Sequence, residues 1–226
     1  MSRLVLVRHG QASFWAAEYD QLSPLGIEQS RLLGEHWGAA GLRFARVYTG
    51  PRTRQRATCA VATEAHVRTG GSPGPEFVEI PEFDEHHGQT VCAATLPPAP
   101  AFDESDEEAR RAYLRRFSTT LHDWASGQLA IADVESYSTF RNRVQIAMER
   151  VRADVPRGEV AVVFTSGGVI AAAVGGMLRA ADLETFALSA RIANASTTEF
   201  VTTPTRMSLA SFNLVSHVPD HLVTLI

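Results

Sequence analysis

Cysteine is scarce in this chain, with two in 226 residues. Cys59 and Cys92 stand apart, without the paired spacing of a metal centre or a redox motif, and read as free thiols of a reducing cytosol. A basic excess is also missing. The formal net charge is −4, which excludes a broad nucleic-acid surface, because binding along a phosphate backbone needs clustered cations. No secretory leader is expected, since the amino-terminal apolar run lasts only four residues before Arg8. No internal repeat is present. One uncharged stretch, 160–178, is long enough to cross a membrane. Thr165-Ser166-Gly167-Gly168 interrupts it, however, with β-rich residues before and alanine-rich residues after. It reads as strand, glycine loop and buried helix. What remains is an ordinary globular composition, 45% hydrophobic and 20% charged. One domain over residues 1–226 is expected, in the cytoplasm, without a membrane or nucleic-acid partner. The oligomeric state is not legible.

Against this plain background the amino terminus stands out. Leu4-Val5-Leu6-Val7 runs directly into Arg8-His9-Gly10. A short, continuously apolar run ended by glycine predicts a strand buried on both faces of a parallel sheet. Ligands of such sheets bind beyond the carboxyl ends of the strands. Arg8 brings a permanently charged planar fork suited to phosphate, and His9 a nucleophile or proton carrier at neutral pH. Gly10 allows a sharp turn or close approach of the backbone.

Further along, Ser23-Pro24 predicts a helix start with serine as N-cap and proline at the first position. Leu25, Leu32, Leu33 and Trp37 form its apolar stripe, and Gly41 closes it. A strand at 45–48 ends at Thr49-Gly50-Pro51 and feeds a helix through Arg52, Arg54 and Arg56. Loop 69–75 precedes a third strand at 76–80, then a loop with Glu82, Asp84, Glu85, His86 and His87. His86, His87 and His217 read as surface or packing residues. Residues 88–104, with Pro97, Pro98 and Pro100, lack periodicity and predict the start of an inserted cap. Ser105-Asp106-Glu107-Glu108 is a capping-box pattern opening a helix with Tyr113, Leu114, Phe117, Leu121 and Trp124 as its apolar positions. A helix at 139–154, the 160–178 unit and strands at 197–201 and 207–214 complete the pattern. Alternating strands and helices imply an α/β fold with a mainly parallel sheet covered on both faces.

Three strand ends carry chemistry: Arg8-His9-Gly10, Thr49-Gly50-Pro51 with its arginines, and Thr165-Ser166-Gly167-Gly168. The third presents backbone amides at a helix start, a ready anion site. A histidine ringed by arginines and a helix N-terminus suits phosphoryl transfer to nitrogen, since the cations neutralise the oxygens and favour the deprotonated imidazole.

These segments resemble the histidine phosphatase superfamily, the phosphoglycerate mutase-like fold. Arg8-His9-Gly10 matches its signature triplet, whose histidine becomes phosphorylated. Leu22-Ser23-Pro24-Leu25-Gly26 with Gln29 is similar to its Leu-Ser-x-x-Gly-x-x-Gln segment. Tyr48-Thr49-Gly50-Pro51-Arg52-Thr53-Arg54 with Thr58 is similar to its Ser-Pro-Leu-x-Arg-Ala-x-Gln-Thr-Ala segment, which makes Arg54 the second phosphate arginine. Glu135-Ser136 with Arg143-Val144, and Asn194-Ala195-Ser196, resemble further landmarks. The resemblance implies a three-layer α/β/α sandwich with a helical cap insertion at about 88–130. It also implies a phosphomonoesterase acting on a small phosphorylated substrate without metal or organic cofactor. His9, Arg8, Arg54 and Glu82 would be catalytic, with Asp84 and Glu85 as rivals of Glu82 for the general acid. Gly10, Gln11, Ser13, Ser166 and Gly167 would bind substrate.

Two departures mark this chain. Ser166 stands where the family carries a second histidine in Ser-His-Gly-Gly, so a charge-stabilising donor is replaced by a hydroxyl. Trp15 stands where an asparagine follows the triplet, leaving Gln11 or Ser13 as polar substitutes. A mutase is the enzymatic alternative, although 88–104 holds no arginine or lysine to grip a second charged group. A catalytically weakened, phosphate-binding relative is the other, motivated by Ser166.

Overall fold

The computed structural model describes residues 1–12, 20–97 and 107–225. Ser13 and Trp15, Pro98 and Pro100, and Ser105-Asp106 of the proposed capping box lie outside them. Six strands, β1 (Ser2–Arg8), β2 (Arg46–Thr49), β3 (Val78–Glu79), β4 (Val160–Thr165), β5 (Thr197–Thr202) and β6 (Met207–Leu214), form one sheet in the order β3-β2-β4-β1-β5-β6. The pairs β3–β2, β2–β4 and β4–β1 are parallel, whereas β5 runs antiparallel to both neighbours.

Side-chain alternation along the central strands builds the layers. Val5, Val7, Val162 and Phe164 face helices α1 (Pro24–Ala39) and α2 (Thr53–Arg68), meeting Leu33, Trp37 and Ala62. Leu4, Leu6, Ala161 and Val163 face the larger core on the other side. That core is built with α4 (Glu107–Ala125), α5 (Tyr137–Asp154) and α6 (Gly167–Leu178), and with Val91 and Cys92 of α3 (Gly88–Thr95). The expected three-layer α/β/α arrangement is therefore present.

Local signals explain the element ends. Ser23 caps α1, its hydroxyl accepting from the Gly26 amide, with Pro24 in the first turn. Gly41 follows α1 at φ +63°, a left-handed turn that glycine adopts at little cost. Of the predicted α1 stripe, Leu33 and Trp37 are buried and Leu25 and Leu32 only half-buried, because Gly26, Gly34 and Gly38 share the inner face. A Cβ at Gly34 would lie 2.1 Å from the Ala62 carbonyl oxygen, so α1 and α2 pack backbone to backbone.

Some sequence expectations shorten or change. The third strand keeps only Val78–Glu79, at the exposed edge of the sheet. Residues 88–95 are helical rather than aperiodic, since eight residues are too few to display a period. Helix α7 (Asp182–Ser189) escaped the pattern for the same reason. There is no glycine loop at 167–168, because both glycines already belong to α6. That helix is apolar all round because nearly all of it is buried. Among the described residues, no helix is long and apolar enough to cross a membrane.

Candidate active site

Parallel pairing in the order β2-β4-β1 sets three carboxyl ends side by side. The His9 amide donates to the Thr165 carbonyl at 2.9 Å, and the Gly50 amide to the Phe164 carbonyl at 3.0 Å. The three segments that sequence reading singled out are thus stitched together by the backbone. Gly10 must be glycine on packing grounds, because a Cβ there would stand 2.3 Å from the Gly26 carbonyl oxygen.

The imidazole of His9 is 6% exposed. Its Nδ1 lies 2.7 Å from the Gly10 carbonyl oxygen, a contact that only Nδ1–H can make as a donor. Nε2 then carries the lone pair, and Arg54 Nε donates to it at 3.0 Å. Arg54 is itself buried, at 4% exposure. Burial, then the charges of Arg54 and Arg8, hold the ring well below the ordinary histidine value of 6.5. His9 is therefore neutral at pH 7. An NMR titration is expected to show no protonation of this ring until well below pH 6.5, and kcat/KM should keep its nucleophile down to that point; a ring titrating at 6.5 or above would contradict this. The same shift implies that stability falls on acidification below about pH 6.5, where the unfolded chain takes up the proton first.

Arg8 turns its Nη1 to the carbonyls of Ile192 and Leu225, the latter at 2.7 Å. Its Nε lies beside Gly167, 3.5 Å from where a Cβ would be. It flanks the first turn of α6 and anchors the carboxyl-terminal segment as well as charging the site. Arg54 Nη1 pairs with Asp20 at 2.8 Å, and the other Asp20 oxygen accepts from the Thr53 amide at 2.8 Å. Arg52 and Arg56 pair with Asp84 and Glu79.

Several matched motif residues act as scaffold. Gln29 accepts from the Gln11 amide at 2.9 Å and donates to the Leu222 carbonyl and the Thr224 hydroxyl. Gln11, expected to bind substrate, has its Oε1 accepting from the Ser23 hydroxyl at 2.9 Å. The Asn194 amide group and the Ala195 backbone amide both donate to the His9 carbonyl. Arg143 pairs with Glu135 at 2.6 Å and donates to the carbonyls of Glu82, Asp84 and Glu85.

That last grip fixes the backbone that carries all three candidate acids. Glu82 gives Arg143 its carbonyl, and its own Oε2 is buried without a hydrogen-bond partner among the described residues. Glu85 instead accepts from the Gly168 amide at 3.1 Å, at the start of α6, and from the His86 amide at 2.8 Å. Burial alone would raise its carboxyl pKa, but the His86 ring, these two amides and Arg54 bring it below the usual carboxylate value. Of the three acids named from the sequence, it is Glu85 whose carboxylate reaches the first turn of α6. The physical reason is the short 3₁₀ turn Pro81–Phe83, which swings the chain so that the residue after Asp84 reaches α6.

Ser166 is fully buried, and its hydroxyl accepts from Gln55 Nε2 at 2.8 Å. Gln55 stands where the family segment resembled above has alanine. Two differences from the family segments, Gln55 and Ser166, are thus hydrogen-bonded partners. Ser166, expected to bind substrate, has its hydroxyl engaged by Gln55, and no sequence signal linked the two positions. Asp20 was equally unforeseeable, since it is brought to Arg54 by a loop. Ser13 lies outside the described residues.

Comparison with known proteins follows from this geometry. A family model described as histidine phosphatase superfamily (branch 1) matches residues 4–215. No curated protein sequence matches the chain. Among solved structures, a phosphoserine phosphatase mutant from Entamoeba histolytica in complex with phosphoserine superposes with a TM-score of 0.66 at 17% identity, covering 97% of this chain and 100% of that one. A mycobacterial glucosyl-3-phosphoglycerate phosphatase with inorganic phosphate superposes at 0.66 with 21% identity, over 96% and 99% of the two chains. YhfR of Bacillus stearothermophilus gives 0.68 at 18% identity, over 96% and 99%. With its fold shared by these structures and the family model spanning almost its whole length, the chain belongs to the histidine phosphatase superfamily, branch 1.

Proposed function

We propose that the protein hydrolyses a small phosphate monoester through a phosphohistidine at His9. One observation carries this reading. His9 is locked in the tautomer that leaves Nε2 unprotonated, in a buried site where Arg54 is the group that meets it. A neutral, oriented imidazole beside a fixed cation is a nucleophile prepared for phosphorus.

In the proposed cycle a phosphoryl group replaces the Asp20 carboxylate on Arg54 and the Glu85 carboxylate on the α6 amides. Arg54, Arg8 and these amides then balance the oxygens while His9 Nε2 attacks in line. The P–O bond to the leaving alcohol breaks, its electron pair stays on that oxygen, and Glu85 delivers a proton to it. Water next attacks the phosphohistidine, Glu85 takes a proton from it, and the N–P electron pair returns to His9. The names of two structural relatives, phosphatases of small phosphate esters, support a small phosphorylated substrate.

The test is hydrolysis of a panel of phosphate esters combined with acid quenching of enzyme mixed with a radiolabelled ester. Turnover with acid-labile, base-stable label on His9 is expected. Absence of both over the whole panel would favour the second reading, a phosphate-binding relative without turnover, for which the engagement of Ser166 with Gln55 speaks.

A further inference from the structure

With Ser166 turned to Gln55, no imidazole occupies its position, yet one lies close by. The His86 ring packs over the first turn of α6, its Cδ2 only 2.7 Å from where a Cβ on Gly168 would be. On the same glycine a Cβ would stand 2.1 Å from Glu85 Oε1, so ring and carboxylate share one niche. His86 Nδ1 accepts from the Gly88 amide at 3.1 Å, which leaves the proton on Nε2 in the neutral ring. Nε2 points at Glu85 Oε1 from 3.7 Å, and the His86 amide donates to that same oxygen. Trp124 of α4, Phe140 of α5 and Phe186 of α7 enclose the ring at centroid distances of 5.5, 5.6 and 5.9 Å. A surface histidine would need none of this.

We infer that His86 is the positioning residue of the general acid Glu85, holding its carboxyl group through Nε2–H, and so places beside the site an imidazole that position 166 lacks. This rests on the phosphatase reading. When phosphate takes the Gly168 amide, the Glu85 carboxylate must leave it and turns onto His86 Nε2. The substrate enters as its monoanion, whose proton passes to Glu85, and Glu85 passes it to the ester oxygen as the P–O bond breaks, while the His86 Nε2–H stays in place as the donor that orients the carboxyl group. In the second half, Glu85 takes a proton from the attacking water and passes it to the released phosphate, which leaves as the monoanion, so the cycle closes. The titratable and charged groups that act on Glu85 beside His86 include Tyr137 and Arg143 on α5, Arg54 on α2 and Arg52 just ahead of it, while Trp124 of α4 and Phe186 of α7 present aromatic rings to His86.

The experiment compares wild type, His86→Asn, Glu85→Gln and the double variant on two esters. β-Glycerophosphate has a poor leaving group that needs the acid, whereas p-nitrophenyl phosphate has a good one that does not. His86→Asn is expected to lose about 30-fold or more in kcat on the first and less than about threefold on the second, with KM nearly unchanged. The double variant should be no slower than Glu85→Gln alone, because residues acting as a unit are not additive. Equal losses on both esters, no loss on either, or losses that multiply in the double variant would overturn the inference. Should His86→Asn fail to fold, long-range ¹⁵N correlation spectra of the wild type decide: the neutral His86 ring must carry its proton on Nε2, and an Nδ1–H ring refutes the arrangement. Wild-type protein that neither hydrolyses esters nor labels at His9 would instead remove the phosphatase reading itself.

Discussion

His9→Asn is expected to lower kcat by about 10³-fold or more on every ester and to abolish the acid-labile label, while inorganic phosphate still binds. The size follows from the role. Without a nitrogen lone pair no covalent intermediate forms, and the remaining cations can only stabilise direct attack by water. Retention of phosphate follows from the geometry, since Arg54 and the Gly168 amide belong to the helices α2 and α6, whose backbones hold them in place without the imidazole. The asparagine amide can still donate toward the Gly10 carbonyl, as Nδ1–H does. Circular dichroism should therefore be unchanged, with phosphate affinity measured by calorimetry. Activity within tenfold of wild type would show that His9 is not the nucleophile.

The second large effect separates two carboxylates three residues apart. Glu85→Gln is expected to cost about 10²-fold or more in kcat on an alkyl phosphate, a usual size for removing a general acid, and much less on p-nitrophenyl phosphate. Glu82→Gln should leave both rates within about threefold, since in the proposed cycle Glu82 makes no transition-state contact. Glutamine at 85 also takes a negative charge off the α6 amides, so inorganic phosphate should bind no more weakly than in wild type. Steady-state rates on the two esters with both variants settle the matter. A larger effect at 82 than at 85 would return the acid to the position that sequence order suggested.

What could be read directly were features whose cause is local. Leu4–Val7 is apolar at every position because both of its faces are covered, and the same holds for α6, which is apolar all round. Ser23-Pro24 and Gly41 mark the ends of α1 through capping and a left-handed turn. The short α3 and α7 were missed because two turns carry too little periodicity, and the strand at 76–80 shrank because an edge strand is held on one side only. At the site, His9, Arg54 and the Gly167-Gly168 helix start were legible because each sits at the end of a recognisable strand. Sequence order alone did not tell which of Glu82 and Glu85 reaches α6, since that depends on a 3₁₀ turn and on Arg143 arriving from α5.

The sequence by itself therefore determined the parallel α/β frame, the histidine and the arginine that meets it, because strand ends in such a sheet must converge. Only the tertiary structure decided that Ser166 belongs to Gln55, that Asp20 sits on Arg54, and that Glu85 and His86 share the α6 N-terminus. Those pairings join residues 34, 83 and 111 positions apart. Their partners are set by how helices and loops pack around the strand ends, which no local pattern encodes.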